Sequence, residues 1–210
     1  MEKLPSQIED EILEMEQQDL ALTKQLDACG ELQKYGYHPQ LERQHKANSA
    51  RLQEIINRYG FPTQVNRLPQ VHQAAWRIVQ HAIGEPDFMR YCHYLFRRFS
   101  LQEIPMSSRA YLEDRIAFYE RRPQKFGTQF DCGLDGVWNV WWLADAVGIE
   151  KWRKRAGLPP LDEVRQRFQD QPVVSRQEAW RIRQQQEQWL LKTGWCREEE
   201  IARCHLQYGN

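Results

Sequence analysis

Two polar residues stand at positions that a helical core would normally fill with apolar side chains. The seam of a predicted helix steps by three and four residues through Leu41, His45, Asn48, Leu52, Ile55 and Tyr59. A buried polar group without a partner costs about 1–3 kcal/mol. His45 and Asn48 therefore predict a hydrogen-bonded network or a bound ligand, and Glu42 lies three residues before His45 on the same side of the helix.

Glu42-x-x-His45 has the spacing of the motif that holds iron in di-iron helical bundles. Such a site needs a second Glu-x-x-His and two further carboxylates, and the chain has no second copy of the motif. The sequence therefore predicts no metal and no other cofactor. Two interpretations stay open, namely a functional site and a core network that fixes the register of the helices.

Two further helices carry an ionisable residue on an inward stripe. His81 shares a face with Ala74 and Ile78, and Asp114 lies between Ala110 and Ala117. Histidine has an unperturbed pKa near neutrality, which suits proton transfer. We expect His45 and His81 to act as acid and base, with Asp114 orienting one of them.

A short segment after residue 121 provides the other candidate side chains. Gly127 in a strand-like stretch predicts a bulge or a close approach of the backbone to a ligand, and the alternative is a strand that turns a corner. The arginine fork of Arg115 suits a carboxylate or phosphate. The expected substrate-binding residues are Glu42, Asn48, Arg115, Gln124, Thr128 and Gln129. We predict that six residues line one pocket, namely His45, Asn48, His81, Asp114, Arg115 and Gln129.

Nine helices are predicted to position these residues. Apolar periodicity and stop signals place them at 5–28, 39–59, 69–83, 86–99, 107–121, 147–156, 161–168, 175–192 and 197–207. Aromatic and β-branched residues at 124–130 and 137–143 flank the turn-forming stretch 131–136, which predicts a β-hairpin. The expected fold is mainly α, a helical bundle with one small β-hairpin. We divide it into an N-terminal extension (1–34), a core domain (35–168) and a C-terminal extension (169–210).

Composition limits the classes of partner. The 210 residues are 41% hydrophobic and 28% charged with no net formal charge, so neither nucleic acid nor an anionic membrane is expected to attract the chain. No apolar run approaches the ~18 residues of a membrane span. The acidic, amphipathic start does not resemble a secretion signal. Five scattered cysteines argue against a disulfide framework and predict reduced thiols in a cytoplasm, where Cys132 is either reactive or a small buried side chain.

Several motifs follow one another in an order that resembles a bacterial family of unknown function. They are His38-Pro with Glu42-x-x-His45-x-x-Asn48, Gly60-Phe-Pro62, Ala75-Trp-Arg-Ile-Val-Gln-His-Ala82, Tyr111-Leu-Glu-Asp-Arg115, Arg122-Pro-Gln-Lys-Phe-Gly-Thr-Gln-Phe-Asp131 and Ala156-Gly-Leu-Pro-Pro-Leu161. The resemblance covers roughly residues 37–165 and implies no particular activity. Its motifs fall on the polar positions identified above.

Two functions compete at this level. The first is a small enzyme that uses histidine acid–base chemistry on a polar or anionic small molecule. The second is an interaction, immunity or regulatory module that binds a protein partner through Trp138, Trp141 and Trp142 of the hairpin, although these could equally form the hairpin's own core. Trp180 and Trp189 are either an interface to a second copy or packed on the same chain.

Overall fold

The computed structural model describes residues 4–32, 37–169 and 173–208, and it confirms a mainly α fold with one small β-hairpin. The chain divides into two compact units, unit 1 (Met1–Ile104) and unit 2 (Pro105–Asn210). This division falls inside the predicted core domain. No helix in the described part of the chain is long and apolar enough to cross a membrane.

The described residues of unit 1 form four helices, whose predicted boundaries are correct to within about three residues. They are α1 (Ser6–Ala28), α2 (Pro39–Tyr59), α3 (Pro69–His81) and α4 (Pro86–Phe96). Proline occupies the first turn of the last three, where its fixed φ suits the helix and its missing N–H is not needed. α1 packs against α3 and α2, and α3 packs against α4.

The core of unit 1 follows the predicted seams. Leu52, Val71 and Ile78 are buried, and the rings of Phe61 and Phe96 meet edge to face at 4.7 Å. His45 and Asn48 are buried as their spacing predicts, with 7% and 3% of their surface exposed. The α1 seam also contains a buried charged residue, Asp19, which is 1% exposed.

Unit 2 contains five helices and the hairpin in the part of it that the structure describes. The helices are α5 (Met106–Tyr119), α6 (Ile149–Arg155), α7 (Leu161–Gln169), α8 (Arg176–Thr193) and α9 (Glu198–Tyr208). Ser175 caps α8 by accepting a hydrogen bond from the Glu178 N–H, as the capping box predicts. One apolar cluster joins Ala110, Phe126 and Ala156.

The C-terminal helices contribute to the core of unit 2. A second apolar cluster joins Phe118 and Trp141 to Cys204 of α9. Trp195 is 2% exposed, and its ring lies 5.1 Å from the ring of Tyr119. The segment predicted as an extension at 169–210 thus buries side chains against α5 and the hairpin.

The hairpin is shorter than predicted, and its first strand lies further along the chain. Its strands are β1 (Phe130–Cys132) and β2 (Trp138–Val140), antiparallel with Asp131 opposite Asn139. Residues 124–129, predicted as part of the first strand, meet the segment after β2 in a bridge between Gln124 and Leu143 and in a backbone bond from the Trp141 N–H to the Gln129 carbonyl. The N–H groups of residues 125, 126 and 128 bond to a side chain described below instead of to a strand.

Candidate functional site

Three helices of unit 1 each bring one ionisable side chain to a common point. Asp19 comes from α1, His45 from α2 and His81 from the end of α3. One carboxylate oxygen of Asp19 lies 2.8 Å from Nε2 of His45, and the other lies 2.5 Å from Nδ1 of His81. The two imidazole centroids are 5.1 Å apart. The structure therefore joins the two predicted catalytic histidines through a carboxylate that the sequence analysis did not assign to the site.

The two histidines differ in their access to solvent. The side chain of His45 is 9% exposed, whereas that of His81 is 30% exposed. His81 is the last residue of α3. Of the two histidines, His81 is accordingly the one that can reach a dissolved molecule.

Tyr37 extends the cluster on the side of His45. Its hydroxyl lies 2.7 Å from Nδ1 of His45, and the two rings are stacked with centroids 5.7 Å apart. Both ring nitrogens of His45 are thus in hydrogen-bond contact, one with a carboxylate and one with a phenol. Asp19, His45, His81 and Tyr37 are hereafter the Asp19 cluster.

The hydrogen bonds of the Asp19 cluster determine the ionisation of Asp19 and the ring nitrogens at which the two histidines carry an N–H. Burial opposes ionisation of Asp19, but the hydrogen bonds and charges of His45 and His81 hold the pKa of its carboxyl well below the usual range. An ionised carboxylate only accepts hydrogen bonds. His45 must then present an N–H at Nε2, and His81 must present one at Nδ1.

Asn48 has a structural role in the same region. Its amide nitrogen donates to the carbonyl of Met15 at 3.3 Å, and its oxygen accepts from Gln44 at 2.9 Å. The first bond ties α2 to α1 one helical turn from Asp19. Asn48 thereby fixes the position of the two helices that carry Asp19 and His45.

Glu42 lies beside the cluster without a described hydrogen bond to it. A Cβ placed on Gly84 would lie 3.4 Å from the Tyr37 ring and 3.9 Å from Cγ of Glu42. Gly84 therefore packs between these two side chains, three residues after His81. This packing puts the predicted ligand-binding residue Glu42 close to Tyr37.

Asp19, His45 and His81 also form a donor set that could hold a metal ion. One donor atom from each residue can be chosen so that all three lie within 4.8 Å of one another. Two histidines and one carboxylate is a ligand combination that iron and zinc accept in proteins. The same side chains are, however, already joined by direct hydrogen bonds.

The remaining predicted site residues belong to unit 2, where they hold a loop. Asp114 is fully buried and accepts backbone N–H bonds from Lys125, Phe126 and Thr128 at 2.9–3.1 Å. The Thr128 hydroxyl also donates to it at 3.1 Å. Burial raises the pKa of Asp114, and these hydrogen bonds oppose the rise. Its contacts are those of a side chain that anchors the backbone.

Gln124 and Gln129 complete the same arrangement. The buried Gln124 amide donates to the carbonyls of Gln129 and Trp141 at 2.9 Å and accepts from the Gln129 N–H. The Gln129 side chain donates to the Thr128 hydroxyl at 3.0 Å. Arg115 of α5 is half-buried. Cys132 is buried, which raises its thiol pKa, so it is a neutral side chain.

Arg153, which the sequence analysis did not single out, holds the loop from the other side. Its guanidinium is 2% exposed and donates to the carbonyls of Phe126 and Gly127, and its Nε donates to Pro159. Gly127 has a φ of 66°, and a Cβ there would lie 3.2 Å from Leu161. The close approach predicted at Gly127 is therefore made by the protein's own side chains.

The predicted catalytic and binding residues thus fall into two groups. His45, Asn48 and His81 lie in unit 1, whereas Asp114, Arg115 and Gln129 lie in unit 2. A single pocket shared by all of them stays a prediction. Comparisons with protein-family models, with curated proteins and with solved structures give no match. This outcome is consistent with a family without an established activity.

Proposed function

We propose that unit 1 is a small catalytic module in which His81 acts as a general base and acid on a polar or anionic small molecule. The observation that carries the proposal is the carboxylate of Asp19 shared between His45 and His81 at 2.8 and 2.5 Å. Asp19 and His45 do not contact the substrate in this scheme. They position His81 and stabilise the charge that it acquires.

The proton arrangement supports this division of roles. The Tyr37 hydroxyl donates to Nδ1 of His45, and His45 donates from Nε2 to Asp19. His81 donates from Nδ1 to the second oxygen of Asp19, which leaves the lone pair of its Nε2 available. A carboxylate that fixes the tautomer of a histidine in this way is a recurrent feature of acid–base sites.

The reaction step follows from that tautomer. Nε2 of His81 takes a proton from a water molecule or a substrate hydroxyl, and the oxygen attacks the electrophilic atom of the substrate. The resulting imidazolium keeps its Nδ1–H bond to the Asp19 carboxylate, which offsets the new positive charge. His81 then returns the proton to the leaving group, so the site ends in its starting state.

Charged residues near His81 favour a polar substrate. Arg77 lies one turn before His81 on α3 and forms an ion pair with Glu16 at 3.2 Å. Lys46, next to His45, lies 3.7 Å from Glu85 and is largely exposed. Both cations are already paired with a glutamate, so these charges favour a polar substrate without selecting the sign of its charge.

The first test measures turnover of an activated ester and a phosphate monoester, p-nitrophenyl acetate and p-nitrophenyl phosphate. His81→Gln should reduce turnover of the accepted compound by about 10²–10⁴-fold, which is the usual contribution of a general acid–base group. His205→Gln is the matched control, because this exposed histidine lies in unit 2 and pairs with Glu187. It should leave turnover unchanged.

Either of two results contradicts the proposal. One is turnover by His81→Gln equal to that of the wild type, and the other is a wild-type chain that converts neither compound. Long-range ¹H–¹⁵N NMR spectra of the histidine rings test the proton arrangement without a substrate. They should show His81 protonated at Nδ1 and His45 protonated at Nε2.

The proximity of three ligand atoms favours a second candidate, a divalent metal centre at Asp19, His45 and His81. Calorimetric titration with zinc chloride separates the two. Binding of one Zn²⁺ per chain that is lost in His81→Gln, with turnover that appears only when Zn²⁺ is added, supports the metal centre and contradicts the acid–base scheme. Turnover that persists in a chelator supports the acid–base scheme.

The interaction-module alternative has less support from the hairpin. Of the three tryptophans proposed as anchors, Trp141 is 3% exposed and packs against Phe118. Trp142 is half-buried, and its ring contacts that of Trp141 at a tilt, with centroids 4.0 Å apart. Trp138 is exposed. Two of the three side chains are thus at least partly engaged within unit 2, and we favour the enzyme.

A further inference from the structure

A pocket of about 230 Å³ opens beside the β-hairpin in unit 2, and the proposed acid–base chemistry makes no use of it. Its polar lining includes Asp131, Asp135, Asn139 and Arg183, and its aromatic lining consists of Trp141 and Trp142. The pocket therefore combines planar hydrogen-bonding groups with indole rings.

The hairpin register brings the polar side chains together. Asp131 of β1 lies directly opposite Asn139 of β2, so their side chains project from the same face of the two strands. Asp131 also accepts a hydrogen bond from Arg183 of α8 at 3.0 Å. The Asn139 amide lies 3.5 Å from the carbonyl of Val137, at the limit of a hydrogen bond, and the residue is exposed. It can therefore turn toward a ligand at little cost.

The charges that line the pocket are two carboxylates and one guanidinium. Arg183 is paired with Asp131 at 3.0 Å, which leaves the exposed Asp135 as the remaining charged group of the lining. An anion in the pocket would meet this excess of negative charge, whereas a neutral hydroxyl group finds both donors and acceptors.

The aromatic side of the pocket has a flat apolar surface. The rings of Trp141 and Trp142 are in contact at a tilt of 32°, with centroids 4.0 Å apart, and the Trp141 indole N–H donates to the carbonyl of Arg122 at 2.9 Å. That bond and the contact with Phe118 hold Trp141 in place, so Trp142 rests on a fixed ring. The half-buried Trp142 therefore offers a supported surface for a flat, weakly polar face of a ligand.

We propose that this pocket binds a single neutral sugar ring. A pyranose carries hydroxyl groups around its edge, which suit Asp131, Asn139 and Arg183, and an apolar C–H face, which suits Trp142. The pocket volume of about 230 Å³ is below the roughly 300–1,000 Å³ typical of sites for drug-sized ligands, so one ring fits better than an extended molecule. The site is independent of the proposed acid–base function.

The test uses the full chain labelled with ¹⁵N and titrated with D-glucose, D-galactose and N-acetyl-D-glucosamine at millimolar concentrations. At least one sugar should shift the indole N–H signal of Trp142 and the amide signals of residues 131–142. Asn139→Ala should raise the Kd for that sugar about tenfold, as expected for the loss of hydrogen bonds to the ligand. Trp142→Ala should abolish detectable binding.

Trp138→Ala is the matched control, because this exposed tryptophan precedes Asn139 on the same strand and does not line the pocket. It should bind the sugar as the wild type does. Asn139→Ala keeps the test informative if Trp142→Ala does not fold, since Asn139 is exposed and makes no core contact. Titrations with sodium phosphate and tetramethylammonium chloride test an anion and a cation.

Three outcomes overturn the proposal. The first is the absence of shifts at 131–142 with all three sugars. The second is a shift caused by phosphate or tetramethylammonium and by no sugar, which would show that the pocket selects an ion. The third is sugar binding that Asn139→Ala leaves unchanged.

Discussion

Replacing Asp19 by asparagine should change the tautomer of His81 while the fold is retained. Asparagine has the shape of aspartate but offers one acceptor oxygen and one donor NH₂ group. If the oxygen continues to accept from His45, the NH₂ group faces Nδ1 of His81 and requires a lone pair there. His81 then carries its proton on Nε2, which abolishes its capacity to act as a base.

The cost to stability can be worked from the two contacts. Asp19 accepts two charge-assisted hydrogen bonds, each worth about 1.5–3 kcal/mol, and the variant makes two neutral ones worth about 0.5–1.5 kcal/mol each. The difference is about 2–3 kcal/mol, and relief from burying a charge offsets part of it. We therefore expect Asp19→Asn to lower the free energy of unfolding by about 1–3 kcal/mol.

The assay combines urea denaturation with ¹⁵N chemical shifts of the His81 ring. Asp27→Asn is the matched control, because Asp27 lies on the same helix and is exposed, and it should change neither quantity. Retention of the Nδ1–H form of His81 in Asp19→Asn would refute the proposed proton arrangement. A loss above about 5 kcal/mol would show that the cluster mainly supports the core.

Three further outcomes follow from other contacts. Asp114→Ala should lower the free energy of unfolding by about 3–5 kcal/mol in urea denaturation, because it leaves several buried backbone N–H groups without their acceptor. Truncation before Ser175 should give an insoluble or molten chain by near-ultraviolet circular dichroism, since it removes the buried Trp195. A double-mutant cycle on Glu11 and Arg51 should give a coupling free energy of about 0.2–1 kcal/mol at neutral pH for this half-exposed pair. The hydrogen bond from Arg51 lowers the pKa of Glu11, so this coupling is present above the ordinary carboxyl pKa of 4.5 and should be lost as the pH falls below it.

Helix positions could be predicted because their signals are local. Pro39 and Gly60 bound α2, and the capping box at Ser175 marks the start of α8, as the structure shows. The burial of His45 could be predicted from periodicity alone. The position of the hairpin could not be predicted in this way. Whether residues 124–129 join a sheet depends on Asp114 and Arg153, which are distant in sequence.

The composition of the Asp19 cluster was only partly predictable. The sequence shows Asp19 in an apolar seam, which is the same signal that identified His45, but nothing local pairs a residue on α1 with His81, 62 positions away. Asp114 shows the opposite difficulty. Its burial was predictable, but its partners are backbone N–H groups, which every residue carries and no motif reveals.

The loop that Asp114 and Arg153 hold has a consequence for how this chain can vary. Both side chains form hydrogen bonds with main-chain groups at positions 125–128. Asp114 accepts from N–H groups, and Arg153 donates to C=O groups. These bonds do not depend on the identity of the side chain at position 125, which is lysine here. Exchanges there should preserve the course of the loop. Gly127 favours glycine, because its φ of 66° strains other residues and a Cβ would lie 3.2 Å from Leu161 and 3.3 Å from Leu143. In a saturation-mutagenesis library, position 125 should accept most residues and position 127 almost none.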